Sequence, residues 1–140
     1  MIDFQDCIQK GKIREFSRGR DLLGKELKIA QEDFEVAKKS FKDENFRWSV
    51  VQSYYSMFHT ARALLYAKNY REKSHYCLIG AVKVLYAKDD LLPMKYIEIL
   101  VKAKNLREAA DYYGDFSPDN AKDILDHAKN FIEIAKKILK

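Results

Sequence analysis

The sequence contains few of the residues that interrupt helices or crosslink chains. Its 140 residues include only two prolines, five glycines and two cysteines. Pro93 and Pro118 both lie where helices are predicted to begin, so neither interrupts a helix. Cys7 and Cys77 are too few and too far apart to indicate a zinc site or a disulfide framework, and we expect two reduced thiols.

Long apolar runs and the best-known catalytic motifs are missing as well. No stretch approaches the roughly 20 apolar residues of a membrane span, and the acidic start at Asp3 does not resemble a secretory signal. The sequence has no HExxH or CxxC motif, no glycine-rich phosphate loop and no Gly-x-Ser-x-Gly turn. We therefore expect a cytoplasmic protein with no membrane contact, no bound metal and no cofactor.

The composition indicates one globular domain over residues 1–140, with residues 1–18 as a short N-terminal arm or helix. Apolar residues make up 47% of the chain and charged residues 34%, and a chain of this length buries about two thirds of its unfolded surface. The net charge of +5 is mild, and basic residues are interspersed with acidic ones. This pattern is typical of a solvated helical surface and supports nucleic-acid binding only weakly.

Four long segments and one shorter segment have apolar residues at alternating steps of three and four, which is the helical period. They cover residues 23–41, 46–65, 74–85, 93–113 and 117–138. The second segment has two apolar stripes, which predicts a central helix, while Ser74 and Ser117 are predicted N-caps. No strand alternation is visible, so we predict an all-α, antiparallel up-and-down bundle of about five helices.

Polar residues interrupt the apolar pattern of the central segment. Tyr55, His59 and Arg62 are spaced i, i+4, i+7 and therefore share one helix face. Burial of an unpaired charge costs on the order of several kcal/mol, so Arg62 needs a partner. That partner is either a residue in an interior or half-exposed hydrogen-bonded pair, or a ligand such as phosphate.

A second polar group lies at the end of the fourth segment, residues 93–113. Arg107 and Asp111, at i and i+4, fit an ordinary intrahelical ion pair or a ligand site. Tyr112 and Tyr113 fit aromatic packing near a helix end. Upstream, His75 is a residue type that titrates near neutral pH and can contact phosphate, although a lone histidine is more often structural.

Together these motifs resemble the HEPN domain family, and more narrowly its small stand-alone prokaryotic members. The similar stretches are residues 7–14, 54–65, 73–75 and 107–112, and the resemblance covers nearly the whole chain. It implies a helical bundle that forms a homodimer. It also implies a partner, because many such proteins are encoded beside a minimal nucleotidyltransferase that acts as antitoxin.

Toxin-type members of this family cleave RNA without metal, using an Arg–x(4–6)–His motif whose two copies meet at the dimer interface. The resemblance assigns the motif arginine to Arg107, but positions 112–114 are Tyr, Tyr and Gly. Tyrosine, with an ordinary pKa near 10, is a poor base at neutral pH. His59 or His75 can replace the missing histidine only if the fold brings it close to Arg107.

Three functions are consistent with these residues. The first is a HEPN dimer that binds nucleotide or RNA phosphate and works with a nucleotidyltransferase; its candidate ligand-binding residues are Arg62, Arg107, Asp111, Tyr112, Tyr55 and His75. The second is a structural or regulatory dimer whose polar helix faces pair inside the bundle. The third is a ribonuclease toxin with Arg107, His59 and His75 as candidate catalytic residues.

The tyrosines after Arg107 have a further implication. In some HEPN toxins the partner nucleotidyltransferase silences the toxin by attaching AMP to a tyrosine next to the motif. Tyr112 and Tyr113 are similar in position to that acceptor, so the resemblance makes them candidate modification sites.

Overall fold

The computed structural model describes residues 3–108 and 116–140 of the chain. Its helices are α1 (Phe4–Gln9), α2 (Gly19–Lys42), α3 (Phe46–Ala67), α4 (His75–Val82), α5 (Met94–Glu108) and α6 (Pro118–Ile138). A π-helical turn, Lys83–Ala87, continues α4, and two short strands are β1 (Ile13–Glu15) and β2 (Tyr70–Glu72). The predicted all-α helical bundle is confirmed.

Helix α3 lies at the centre of the bundle, as its two apolar stripes predict. It packs against α2, α4, α5, α6 and β2. Small polar residues let α2 approach it closely: the hydroxyls of Ser49 and Ser56 donate to the backbone carbonyls of Ala37 and Ala30, each at 2.8 Å. Buried hydroxyls are therefore satisfied by backbone groups of the neighbouring helix.

Both predicted N-caps are present. The Ser74 hydroxyl accepts a hydrogen bond from the backbone N–H of Cys77 at 3.1 Å, and the Ser117 hydroxyl accepts from that of Asn120 at 3.2 Å. Because these caps set the first turns of α4 and α6, the first residue of α4 is His75. Among the described residues, no helix has the length and apolar character needed to cross a membrane.

The expectation that the chain has no strands is wrong. β1 and β2 form a two-stranded antiparallel ribbon in which Arg14 lies opposite Arg71. Each strand has three residues, which is too short for an alternating pattern to be recognised in the sequence.

The expectation of two reduced thiols is wrong as well. Cys7 of α1 and Cys77 of α4 form a disulfide, with their Cα atoms 5.8 Å apart. Their separation of 70 residues in sequence hides this proximity, which arises because α1 packs against α4. The bond attaches the N-terminal arm to the helix that begins with His75.

Candidate functional site

Arg107, in the last turn of α5, lies against two tyrosines of α3. Its Nη1 donates to the phenol oxygen of Tyr55 at 2.9 Å. Its guanidinium carbon is 5.4 Å from the ring centre of Tyr54 and 5.6 Å from that of Tyr55. Both rings are within the range of a cation–π contact, so α3 holds the arginine on an aromatic surface.

His75, the first residue of α4, contacts one of these two tyrosines. Its Nδ1 is 2.6 Å from the phenol oxygen of Tyr54, and its ring stacks on Phe58 with the centres 4.3 Å apart. Tyr54 therefore contacts both His75 and Arg107. We call Tyr54, Tyr55, Phe58, His75 and Arg107 the Arg107 cluster.

The surroundings of His75 favour its neutral form. Burial lowers the pKa of the imidazole, and the positive charges of Arg107, Lys104 and Arg62 lower it further. Burial raises the pKa of Tyr54, so its phenol stays protonated at neutral pH. With Nδ1 engaged by Tyr54, Nε2 is the ring nitrogen of His75 left to exchange a proton with a bound molecule.

Arg107 has no acidic partner within the described part of the chain. None of the ion pairs there includes it, and its buried Nε has no hydrogen-bond partner among the described residues. Buried donors without partners are uncommon and costly. An anion such as phosphate, which guanidinium groups bind by paired hydrogen bonds, is a suitable partner.

A second polar group lies farther along α3, and its charged side chains are paired with one another. Arg62 Nη2 lies 2.6 Å from a carboxylate oxygen of Glu72, and its Nη1 lies 3.4 Å from Glu26. The Nδ1 of His59 lies 2.6 Å from Glu26. Burial by itself raises the pKa of Glu26, but the His59 hydrogen bond and the Arg62 charge lower it overall. We call these four residues the Glu26 network.

The Glu26 network gives Arg62 the interior pairing that was one of its two predicted environments. His59 is also occupied by a carboxylate, whereas His75 belongs to the Arg107 cluster. Phe58 lies between the two groups: the Arg62 guanidinium is 4.6 Å from its ring centre, and His75 stacks on it. Of the two histidines considered as a base, the fold thus brings His75 into contact with the tyrosine that faces Arg107.

Several predicted site residues lie outside the described part of the chain. Asp111, Tyr112 and Tyr113 fall in 109–115, so the proposed ion pair, ligand contacts and modification site stay predictions. Among the described residues, no group of three or more His, Cys, Asp or Glu side chains is arranged to hold a metal ion.

Sequence reasoning missed Tyr54, Phe58, Glu26 and Glu72 as parts of these polar groups. Tyr54 and Phe58 lie within the family motif at 54–65, and Glu26 has a signal in the helical periodicity. It lies four residues before the buried Ala30 and therefore on the apolar face of α2, where a carboxylate requires a partner.

Comparison with known proteins identifies the family of this chain. The family model described as HEPN domain matches residues 25–139. A protein of Methanocaldococcus jannaschii named as a candidate toxin, MJ0605, is 34% identical over 115 residues, covering 81% of this chain and 86% of that protein. A second candidate toxin of that organism, MJ0142, is 28% identical and covers 91% and 88%.

A bacterial relative extends the comparison beyond the archaea. The UPF0332 protein glr0978 of Gloeobacter violaceus is 32% identical over 113 residues, covering 79% of this chain and 90% of that protein. The matched family region includes both the Arg107 cluster and the Glu26 network. The chain therefore belongs to the HEPN domain family.

Proposed function

We propose that this HEPN toxin-like protein binds an RNA phosphate through Arg107 and cleaves the adjacent phosphodiester with His75 as the proton-transfer residue. The observation that carries the proposal is the arrangement around Tyr54. This ring faces an arginine with no carboxylate partner among the described residues, and its hydroxyl contacts an imidazole that burial and nearby cations keep neutral.

The chemistry follows from these two side chains. Nε2 of His75 accepts the proton of a ribose 2′-hydroxyl, and the 2′-oxygen attacks phosphorus. The bond from phosphorus to the 5′-oxygen breaks, and that oxygen takes up a proton from water, leaving a 2′,3′-cyclic phosphate and a free 5′-hydroxyl. His75 then releases its added proton to solvent. Arg107 stabilises the negative charge that develops on the phosphoryl oxygens. For this role Nδ1 of His75 carries the hydrogen and donates it to the Tyr54 oxygen.

The same proposal includes an antitoxin partner and a second copy of this chain. A toxin of this kind works with an antitoxin, and the resemblance indicates a minimal nucleotidyltransferase acting on Tyr112 or Tyr113. The resemblance also indicates a homodimer, in which two Arg107 clusters face one RNA.

A second candidate function is phosphate binding without cleavage. It is favoured by one sequence observation: Tyr112, Tyr113 and Gly114 occupy the positions where the family motif has its histidine. In that case Arg107 and His75 hold nucleotide or RNA, and the chain acts as a regulatory partner of the nucleotidyltransferase.

Cleavage of single-stranded RNA by purified protein, with chelator present, tests the proposal. We expect cleavage by the wild type, its loss in Arg107→Ala and His75→Ala, and its retention in His59→Ala, a histidine that is paired with Glu26 instead. RNA that stays intact while still bound in an Arg107-dependent manner overturns cleavage and leaves the binding function. RNA neither cut nor bound overturns both.

A further inference from the structure

The β1–β2 ribbon places four cations on one face. Arg14 and Arg71 are directly opposite in the antiparallel register, and the backbone N–H of Lys73 donates to the carbonyl of Lys12 at 2.8 Å, which continues the pairing by one residue. Opposite residues of a ribbon share a face, and the faces alternate along each strand. Lys12, Arg14, Arg71 and Lys73 therefore share a face, and all four are exposed.

One residue pair on the opposite face of the ribbon is buried and explains why the register is held. Ile13 is 2% exposed and its partner Glu72 is 6% exposed. Glu72 accepts hydrogen bonds from Arg62 at 2.6 and 3.1 Å. Because a shift of one residue would exchange the faces, the burial of Ile13 and Glu72 obliges the four cations to point outward together.

These cations have no ion-pair partner among the described residues. None of the ion pairs there includes Lys12, Arg14, Arg71 or Lys73. Arg14 Nε instead donates to the backbone carbonyl of Gly11 at 3.2 Å, and the Arg71 guanidinium lies 5.3 Å from the ring centre of Phe16. Like charges directly opposite on a ribbon destabilise it. A polyanion that binds across these cations removes the destabilisation that their repulsion causes.

The surface between the cations of the ribbon is concave. A cavity of about 530 Å³ is lined by Arg14, Glu15, Arg71, Glu72 and Lys73. Of its two carboxylates, Glu72 is bound by Arg62, whereas Glu15 lies opposite Tyr70 on the other face of the ribbon. Three cations thus face the cavity against one carboxylate that Arg62 does not already neutralise.

The ribbon leads directly to the Arg107 cluster. β2 ends at Glu72, and α4 begins with His75. Arg71 and His75 are four positions apart in the chain, so their Cα atoms are at most about 14 Å apart. At one phosphate per about 3.4 Å of a stacked strand, this distance corresponds to about four phosphates.

We propose that the cationic face of the ribbon, formed by Lys12, Arg14, Arg71 and Lys73, binds the phosphates of single-stranded RNA that flank the phosphate at Arg107. This inference rests on the proposed function, because it gives the ribbon the same substrate. It makes the ribbon a sequence-independent subsite that holds the strand while His75 acts on one linkage.

The test uses the full chain with Arg14→Gln/Arg71→Gln, and Lys38→Gln/Lys39→Gln as a control with equal charge loss. The control lysines are exposed on α2. Lys39 lies about 30 Å along this helix from its first residue, Gly19. Binding of a fluorescent single-stranded oligoribonucleotide is measured at several salt concentrations. Loss of two phosphate contacts should reduce the slope of log affinity against log salt by about 1.4. The control should keep the wild-type slope.

Two further measurements separate this inference from the proposed function. Arg14→Lys/Arg71→Lys keeps both charges and should keep most of the slope, which shows that a changed slope reflects charge and not a disrupted ribbon. A dinucleotide is too short to reach the ribbon, so its cleavage should be unchanged in the Gln variant while cleavage of the longer oligonucleotide weakens.

The results of these experiments distinguish the ribbon inference from the proposed function. Equal slopes for the ribbon and control variants, with Arg107→Ala still impaired, overturn the ribbon inference alone and point to an acidic protein partner for this face. Absence of RNA binding by the wild type overturns both the ribbon inference and the proposed function.

Discussion

The phenol oxygen of Tyr54 lies 2.6 Å from Nδ1 of His75, and the ring of the same tyrosine faces the guanidinium of Arg107. One buried side chain on the central helix therefore orients one residue from α4 and contacts another from α5. Because Tyr54 is only 1% exposed, its hydroxyl depends on His75 for a hydrogen bond.

Replacement of Tyr54 by Phe should impair both stability and cleavage. The change leaves Nδ1 of His75 without its partner, which should lower the free energy of unfolding by about 1–3 kcal/mol. Loss of imidazole orientation should reduce RNA cleavage about tenfold or more. Tyr86→Phe is the matched control, because the Tyr86 hydroxyl donates to the Leu64 carbonyl at 2.6 Å outside the cluster. Tyr86→Phe should lower the free energy of unfolding and leave RNA cleavage unchanged.

Stability should fall as the pH is lowered through the titration range of His75. The pKa of this residue is lowered in the fold from its ordinary 6.5, so the unfolded chain binds the proton more readily. The contribution is fully present above about pH 6.5 and is lost as the pH falls toward the lowered value. Urea denaturation from about pH 8 to about pH 5 should show this slope. An equal slope in His75→Gln would contradict it.

Arg62→Ala should be strongly destabilising, because it leaves the carboxylate of Glu72, whose side chain is 3% exposed, without its cation. Removal of one partner of a buried pair costs about 3–5 kcal/mol. Lys122→Ala, which breaks an exposed pair with Asp126, should cost less than about 0.5 kcal/mol. Equal midpoints of urea unfolding for the two variants would show that the Glu26 network contributes no more than a surface pair.

Reduction of the Cys7–Cys77 disulfide should lower the free energy of unfolding by about 2–4 kcal/mol, because the bond closes a long loop in the unfolded chain. Thermal unfolding with and without dithiothreitol measures the effect. Cys7→Ser/Cys77→Ser has no other cysteine to reduce, so its melting temperature should match the reduced wild type and should not respond to the reagent.

Gly19 and Gly24 of α2 should respond to alanine in opposite directions. A Cβ at Gly19 would overlap with the backbone carbonyl of Tyr66, whereas a Cβ at Gly24 meets nothing within 4 Å. Gly19→Ala should therefore lower the free energy of unfolding by about 1–3 kcal/mol. Gly24→Ala should stabilise the helix by about 0.5–1 kcal/mol. Urea denaturation of the two variants gives both values, and a stabilising Gly19→Ala would contradict the close approach of α2 to α3.

The helices and their starts follow from the local sequence. Apolar periodicity identifies α2, α3 and α6, and the serine caps at Ser74 and Ser117 set where α4 and α6 begin. These features depend on residues within a few positions of each other, through the helical period and through capping hydrogen bonds. The family resemblance likewise depends on short motifs that the sequence contains directly.

Only the tertiary structure decided which residues meet. Cys7 and Cys77, Arg14 and Arg71, and Arg107 and Tyr55 are each separated by more than 50 positions in the chain. Strand pairing brings the two arginines together, and helix packing brings the other two pairs together. The family motif made Arg107 a candidate, and residue type made His59 and His75 candidates. In the fold, His59 contacts Glu26 and His75 contacts Tyr54. The sequence does not predict these contacts, because each hydrogen-bonding partner comes from a different helix and no local spacing encodes the contact.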